Sequence, residues 1–187
     1  MNKKYKEVEI KLAIEDIVSF EKKLQKLDGK NDGEFFQRTI RFETPNDDLE
    51  KRGLFLRVRT GDKNIITVKR KSKEDKNYKE RDEWETEVDD PETVVEIFKA
   101  LGYTKLLIME KYRKTYTFSD FPDLTVTIDR LPFGHFAEIE GGEEDIEVML
   151  ERLNLKTIER ITDTYWGLHE QYNKERGLSG EDIVFSG

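Results

Sequence analysis

The stretch Glu7-Val8-Glu9-Ile10-Lys11 decides how the rest of the chain is read. In extended backbone successive side chains point to opposite faces, so Glu7, Glu9 and Lys11 share one face and Val8, Ile10 and Leu12 the other. A single solvated edge strand looks the same. The pattern recurs, however, with charges of both signs. Arg57 and Arg59 flank Val58, and Lys69 and Lys71 share a face. Glu83, Glu85 and Glu87 alternate with Trp84, Thr86 and Val88. Lys111 and Arg113 flank Tyr112, Asp129 follows Val126 and Ile128 on the opposite parity, and Glu138 and Glu140 flank Ile139.

Outward from these stretches the chain reads as interleaved strands and helices. Strands are expected at 5–13, 34–43, 54–60, 64–71, 81–88, 105–118, 123–130 and 136–141. Helices are expected at 15–28, closed by Gly29, at 91–101 after an Asp90 cap and Pro91, at 144–153 and at 158–172. Ser72 to Lys79 reads as a charged loop, and residues 177–187 as a tail without an assigned structure. About eight strands, mostly in hairpins, predict an antiparallel sheet that closes or nearly closes, in an α+β protein of one domain spanning 1–187. Two orientations remain open on alternation alone. The charged faces either point inward, with helices covering the apolar outside, or form an ordinary solvated face.

Composition narrows the function. With 187 residues the chain can bury a sizeable core, and without cysteine it has neither disulfides nor thiolate metal sites. The residues before the first strand lack the apolar run of a signal peptide, and no apolar stretch approaches the roughly 20 residues of a membrane helix, so a cytoplasmic protein with no membrane partner is expected. A net charge of -8 argues against nucleic-acid binding, and 40% charged residues resemble the ion-pair-rich style of thermophile proteins. No GxxxxGK phosphate loop is present. His135 and His169 lack a neighbouring nucleophile pattern, and Trp84 and Trp166 read as packing residues.

The charged residues suit one kind of ligand. Glu7, Glu9, Asp129, Glu138 and Glu140 are hard oxygen donors matched to Mg²⁺ or Mn²⁺. Arg57, Arg59, Lys69, Lys71, Lys111 and Arg113 are phosphate-binding types. A surface carrying both can hold a polyanion together with its metal ions.

Taken in order, these segments resemble the CYTH family of triphosphate tunnel metalloenzymes. Glu7-x-Glu9-x-Lys11 is similar to its ExExK signature. Phe42-Glu43-Thr44-Pro45 with Leu49 and Gly53-Leu54-Phe55-Leu56-Arg57-Val58-Arg59 resembles its FDTP…L…G…LRxR segment. Thr67-Val68-Lys69, Arg81-x-Glu83-x-Glu85, Glu110-Lys111-x-Arg113, and Asp129 followed by Gly134-x-x-Ala137-Glu138-Ile139-Glu140-Gly141 resemble its later strands, and Thr164-Tyr165 its last helix. The resemblance spans about residues 5–170, looks most like the class IV adenylyl cyclase-like branch, and favours the inward-charge reading.

It implies an eight-stranded antiparallel β-barrel, a tunnel with a charged lumen, covered outside by helices. Carried over by position, it implies triphosphate binding by Lys11, Arg57, Arg59, Lys69, Lys111 and Arg113, and metal binding by Glu7, Glu9, Asp129, Glu138 and Glu140. Lys71, Glu85 and Glu87 stand as secondary candidates, and no general base is assigned. The implied enzyme uses Mg²⁺ or Mn²⁺ and is either an adenylyl cyclase, making cyclic AMP and pyrophosphate from ATP, or a triphosphatase acting on tripolyphosphate, a nucleoside triphosphate or thiamine triphosphate. A non-catalytic polyphosphate or nucleotide binder is the third reading, and the resemblance favours a homodimer.

Overall fold

Strand β1 (Tyr5–Ala13) lies between two strands remote from it in the chain, β5 (Lys79–Glu87) and β8 (Gly134–Glu140), and is antiparallel to both. Onward from β5 the order is β4 (Ile65–Glu74), β3 (Leu54–Thr60), β2 (Lys30–Glu43), β6 (Lys105–Phe118) and β7 (Phe121–Leu131), which pairs with β8 and closes the barrel. The computed structural model describes residues 5–74 and 78–186.

The charges point inward. On β1, Ile10 and Leu12 are buried on the outer face, while Glu7, Glu9 and Lys11, at 8%, 7% and 2% exposure, are buried on the lumen face. The outer apolar face is covered by helices. Helices α1 (Ile17–Lys26) and α4 (Glu143–Arg152) bring Phe20, Leu24, Ile146, Met149 and Leu150 onto Ile10, Leu12, Val126 and Ile139. Helix α3 (Pro91–Ala100) lays Val94, Val95 and Phe98 over Phe42, Leu56 and Val58. The caps follow the sequence: Asp16 accepts from the Ser19 N–H at 2.9 Å and Asp90 from the Thr93 N–H at 2.9 Å. A short helix α2 (Asp48–Lys51) occupies the 44–53 connection.

Several boundaries differ from the expectation. Strand β2 begins at Lys30 rather than 34, because Lys30 and Asn31 pair with Thr117 and Tyr116 across a bulge before Glu34. The expected loop at 72–79 is largely strand: β4 runs to Glu74 and β5 starts at Lys79, and the remainder, 75–77, lies outside the described residues. The last helix, α5 (Tyr165–Arg176), starts seven residues later than the expected 158. Ile161 is drawn into a bridge with Lys11, its N–H donating to the Lys11 carbonyl at 2.8 Å, which prevents helix there, and Thr164 then caps the helix by accepting from the Gly167 N–H at 3.1 Å.

The tail is ordered against the barrel. β6 pairs with β7 from Tyr112 onward, and beside its first half the tail takes that place. Ile183 forms a parallel bridge to Met109, donating to the Ile108 carbonyl at 2.8 Å and accepting from the Glu110 N–H at 2.7 Å, and Asp182 accepts from the Ile108 N–H at 2.7 Å. Ile183 is fully buried.

Candidate active site

Barrel closure brings the alternating charges onto one lumen, a cavity of about 210 Å³. Glu7, Glu9, Lys11, Arg57, Arg59, Lys69, Lys111, Arg113, Glu138, Glu140 and Glu85 all line it. Lys79, Arg81 and Glu83 join them; Arg81 and Glu83 have the same parity as Glu85 within the expected strand, which is the signal that could have placed those two in the site.

Pairing organises the wall. Lys69 Nζ donates to both Glu7 oxygens at 2.6 Å and lies 3.2 Å from Glu83. Burial works against the charge on Lys69, but the Glu7 and Glu83 carboxylates outweigh it and hold its pKa above the ordinary lysine value. Lys79 Nζ sits 2.9 Å from Glu9, and burial nonetheless lowers its pKa. Lys11 Nζ lies 3.3 Å from Glu138 and donates to the Asp163 carbonyl at 3.1 Å. Glu138 is penalised by burial, yet Lys11, Arg113 and Lys111 keep it well below the usual carboxylate range. Arg57 donates to Thr67 Oγ1 at 3.1 Å and to Glu85 at 3.3 Å.

Arg59 differs from these cations. Its Nε is buried and has no hydrogen-bond partner in the protein, and burial together with Arg57 and Arg113 lowers its pKa to about 10. A half-buried guanidinium near two others, with an unused buried donor, calls for an added anion.

Asp129 lies behind the wall and is fully buried. It accepts from Lys111 Nζ at 2.9 Å, from Arg113 Nε at 2.6 Å and from the Tyr165 hydroxyl at 2.8 Å. Its place is therefore that of a counterion supporting Lys111 and Arg113, and it does not share the lumen surface of the four glutamates. Burial and the neighbouring Arg113 push Lys111 down to about 7 against the pull of Asp129. Glu87 points away, exposed and paired with Lys63. Lys71 faces the outer mouth rather than the lumen.

Among the lumen glutamates, Glu7, Glu9, Glu138 and Glu140 have donor oxygens suited to a hard divalent cation. Among the described residues no group of three or more His, Cys, Asp or Glu side chains is drawn close enough to hold a metal as they stand. Electrostatics at two lumen carboxyls, Glu140 and Glu83, nevertheless suit one. Glu140 keeps part of its surface in solvent, yet burial on its lumen side and then Glu7 and Glu9 push its pKa up to about 7. Burial, with Glu7 and Glu85 adding to it, raises Glu83 to about 8. Carboxyls whose protons are favoured by burial, and then by one another, are ones a divalent ion would ionise by displacing those protons.

Helix α5 closes one end. The Tyr165 ring lies 4.4 Å from Lys11 Nζ and 5.4 Å from Lys111 Nζ, and Trp166 stands beside Phe55. A Cβ at Gly167 would come within 2.3 Å of Asp163 Oδ1, so a larger residue there would displace the Asp163 carboxylate. Sequence reading named Thr164-Tyr165 for its resemblance but gave neither Tyr165 nor Trp166 a place in the site, since which way a helix faces is set by tertiary packing. His169 packs on Phe133, away from the lumen.

The CYTH domain profile matches residues 5–171. The Methanocaldococcus jannaschii protein named Putative adenylate cyclase MJ0240 is 33% identical over 140 residues, covering 75% of this chain and 79% of that protein. The PH1012 protein of Pyrococcus horikoshii OT3 has a similar structure, with a TM-score of 0.72 at 29% identity, covering 85% of this chain and 96% of its own. HpAC1 from Hippeastrum, a protein described as having a dominant triphosphatase activity, shares the fold with a TM-score of 0.65 at 19% identity, over 92% of this chain and 97% of its own.

Proposed function

The chain belongs to the CYTH domain family, and on that premise we propose that it is a divalent-metal-dependent enzyme that converts ATP to cyclic AMP and pyrophosphate within its barrel. The observation that carries the proposal is the mixed lumen: eight cationic side chains, among them Arg59 with an unused buried donor, line one cavity together with six glutamates. A pure anion binder would gain nothing from those carboxylates. The name of the 33% identical relative supports the cyclase over the hydrolase.

In this reading Lys11, Arg57, Arg59, Lys69, Lys111 and Arg113 hold the triphosphate and stabilise charge on the departing pyrophosphate. Glu7, Glu9, Glu138 and Glu140 would hold Mg²⁺ or Mn²⁺, which lowers the pKa of the attacking group and neutralises phosphate charge. The ribose 3′-oxygen forms its bond to the α-phosphorus, the bond from that phosphorus to pyrophosphate breaks, and the hydroxyl proton leaves to solvent or a base not assigned among the lumen residues. Asp129 fixes Lys111 and Arg113 in place.

The test is product analysis of ATP and of tripolyphosphate incubated with protein and Mg²⁺ or Mn²⁺ from neutral to alkaline pH. Cyclic AMP with pyrophosphate supports the cyclase. Orthophosphate with ADP or pyrophosphate, and no cyclic nucleotide, makes the barrel a triphosphatase. Metal-dependent binding without turnover would remove the enzyme claim.

A further inference from the structure

Helix α5 is tied to the barrel on both sides by β-bridges, and each bridge falls on a strand that carries a lumen lysine. Ahead of the helix Ile161 bridges Lys11 on β1, and after it Ile183 bridges Met109 on β6, the strand of Lys111. The tail reaches that place through a left-handed turn at Gly177, with φ of +64°. The Leu178 N–H then donates to the Asn173 carbonyl at 2.9 Å, and Asn173 Nδ2 to the Gly180 carbonyl at 3.1 Å. Beyond Ile183 the Phe185 N–H donates to Glu110 at 3.2 Å. The tail lies beyond the residues 5–171 that the CYTH profile matches, so the family resemblance does not account for this strap.

Between the two bridges in the chain stands Tyr165, which is buried. Its ring packs in an apolar cluster with Met109, Leu131, Phe136 and the fully buried Ile183, the Phe136 ring edge-on at 5.3 Å between centroids. The same ring has the Lys11 and Lys111 ammonium groups 4.4 Å and 5.4 Å from its centroid, within reach of cation–π attraction. Its hydroxyl donates to Asp129, which also accepts from Lys111 and Arg113. Tyr165 therefore meets Lys111 twice, through its ring and through Asp129. A tyrosine serving as filler needs neither contact.

We infer that Tyr165 is a positioning residue for the anion-binding lysines Lys11 and Lys111, and that the tail sets its seat by holding Ile183 in the cluster that packs the ring. The inference rests on the triphosphate reading of the lumen and adds to it the part of the chain that tunes the grip. An ammonium on a four-carbon stem has many rotamers, and aiming two of them at one anion costs entropy that a fixed ring removes in advance. Tyr165 needs no contact with the anion for this, since its effect passes through the two lysines and Asp129. The tail thus acts on polyanion affinity from outside the lumen.

Calorimetry on the full-length protein tests this, with tripolyphosphate titrated without metal and Mn²⁺ titrated without anion. Tyr165→Leu is expected to weaken tripolyphosphate about tenfold, and Tyr165→Phe, which keeps the ring without the hydroxyl, about threefold. Ile183→Ala is expected to weaken it about threefold, with Ile183→Val restoring most of the loss, and to add almost nothing in a Tyr165→Leu background. Mn²⁺ affinity should stay nearly unchanged throughout, since a metal site gains nothing from aimed lysines. Unchanged tripolyphosphate affinity in Tyr165→Phe and Ile183→Ala, or a parallel fall in Mn²⁺ affinity, would overturn the inference and leave Tyr165 a packing residue while the triphosphate reading stands. A full Ile183→Ala effect in the Tyr165→Leu background would overturn the part given to the tail. Failure of the unaltered protein to bind tripolyphosphate would overturn both readings.

Discussion

Replacing Asp129 by Asn is the sharpest test of how the lumen is held together. The carboxylate is fully buried and receives Lys111 at 2.9 Å, Arg113 at 2.6 Å and Tyr165 at 2.8 Å. An amide of the same shape can still accept from Tyr165 and from one cation on its single oxygen. Its NH₂ group then faces the other cation, and the negative charge is gone. Net losses of about 1.5–3 kcal/mol for each of two charged hydrogen bonds give about 4 kcal/mol, within the range for breaking a buried pair and leaving its partner charged. For a chain of this size that lowers Tm by roughly 8–16 °C. Because the group is sealed from solvent, added salt should change the figure little. Thermal unfolding of both proteins at pH 7, with and without salt, measures it. A drop of less than about 3 °C would refute the counterion role. A stable variant with an altered metal requirement would return Asp129 to the metal site that the resemblance implies.

Three other outcomes are expected. With Lys111 near pKa 7, an incoming triphosphate recharges it above that pH, so binding should take up as much as about one proton at pH 8.5 and much less at pH 6; calorimetry in buffers of different ionisation enthalpy reads this, and pH-independent uptake would count against it. Glu140, also near 7, must lose its proton to take a cation, so Mn²⁺ affinity should rise as much as about tenfold per pH unit below 7 and level off above it, and Glu140→Gln should flatten that slope. Truncating the fully buried Ile183 to Ala should cost about 2–4 kcal/mol in urea unfolding, whereas no change would mean that the tail is dispensable.

The strand alternation was legible because a period of two survives any arrangement of strands. Its sense was not, since charges facing inward and charges facing water produce the same string. The resemblance favoured the inward choice, and the burial of Glu7, Glu9 and Lys11 agrees with it. Lys79 could not be recognised as a wall residue while 72–79 read as loop, because a long hairpin and a charged loop have the same composition. The start of α5 was missed because Ile161 is committed to Lys11, a contact 150 positions away. The same holds for Tyr165 and Trp166, whose roles depend on where the helix lands, and for Asp129, whose parity places it with the glutamates while its depth does not.

Strand β1 has no sequence neighbour beside it: β5 on one side follows it by some seventy residues, and β8 on the other is the last strand made. The two hairpin runs, β2–β3–β4–β5 and β6–β7–β8, can form from nearer contacts, but the ring cannot shut until β1 is inserted between their ends. Pairings of such separation form late and slowly. Since β1 supplies Glu7, Glu9 and Lys11, an open-sided folding intermediate lacks two of the four glutamates proposed to hold metal and one of the lysines proposed to hold the triphosphate. On the proposed function, the ability to bind a polyanion with metal arises in the same step that completes the molecule, which would make ligand binding a direct report of the final closure during refolding.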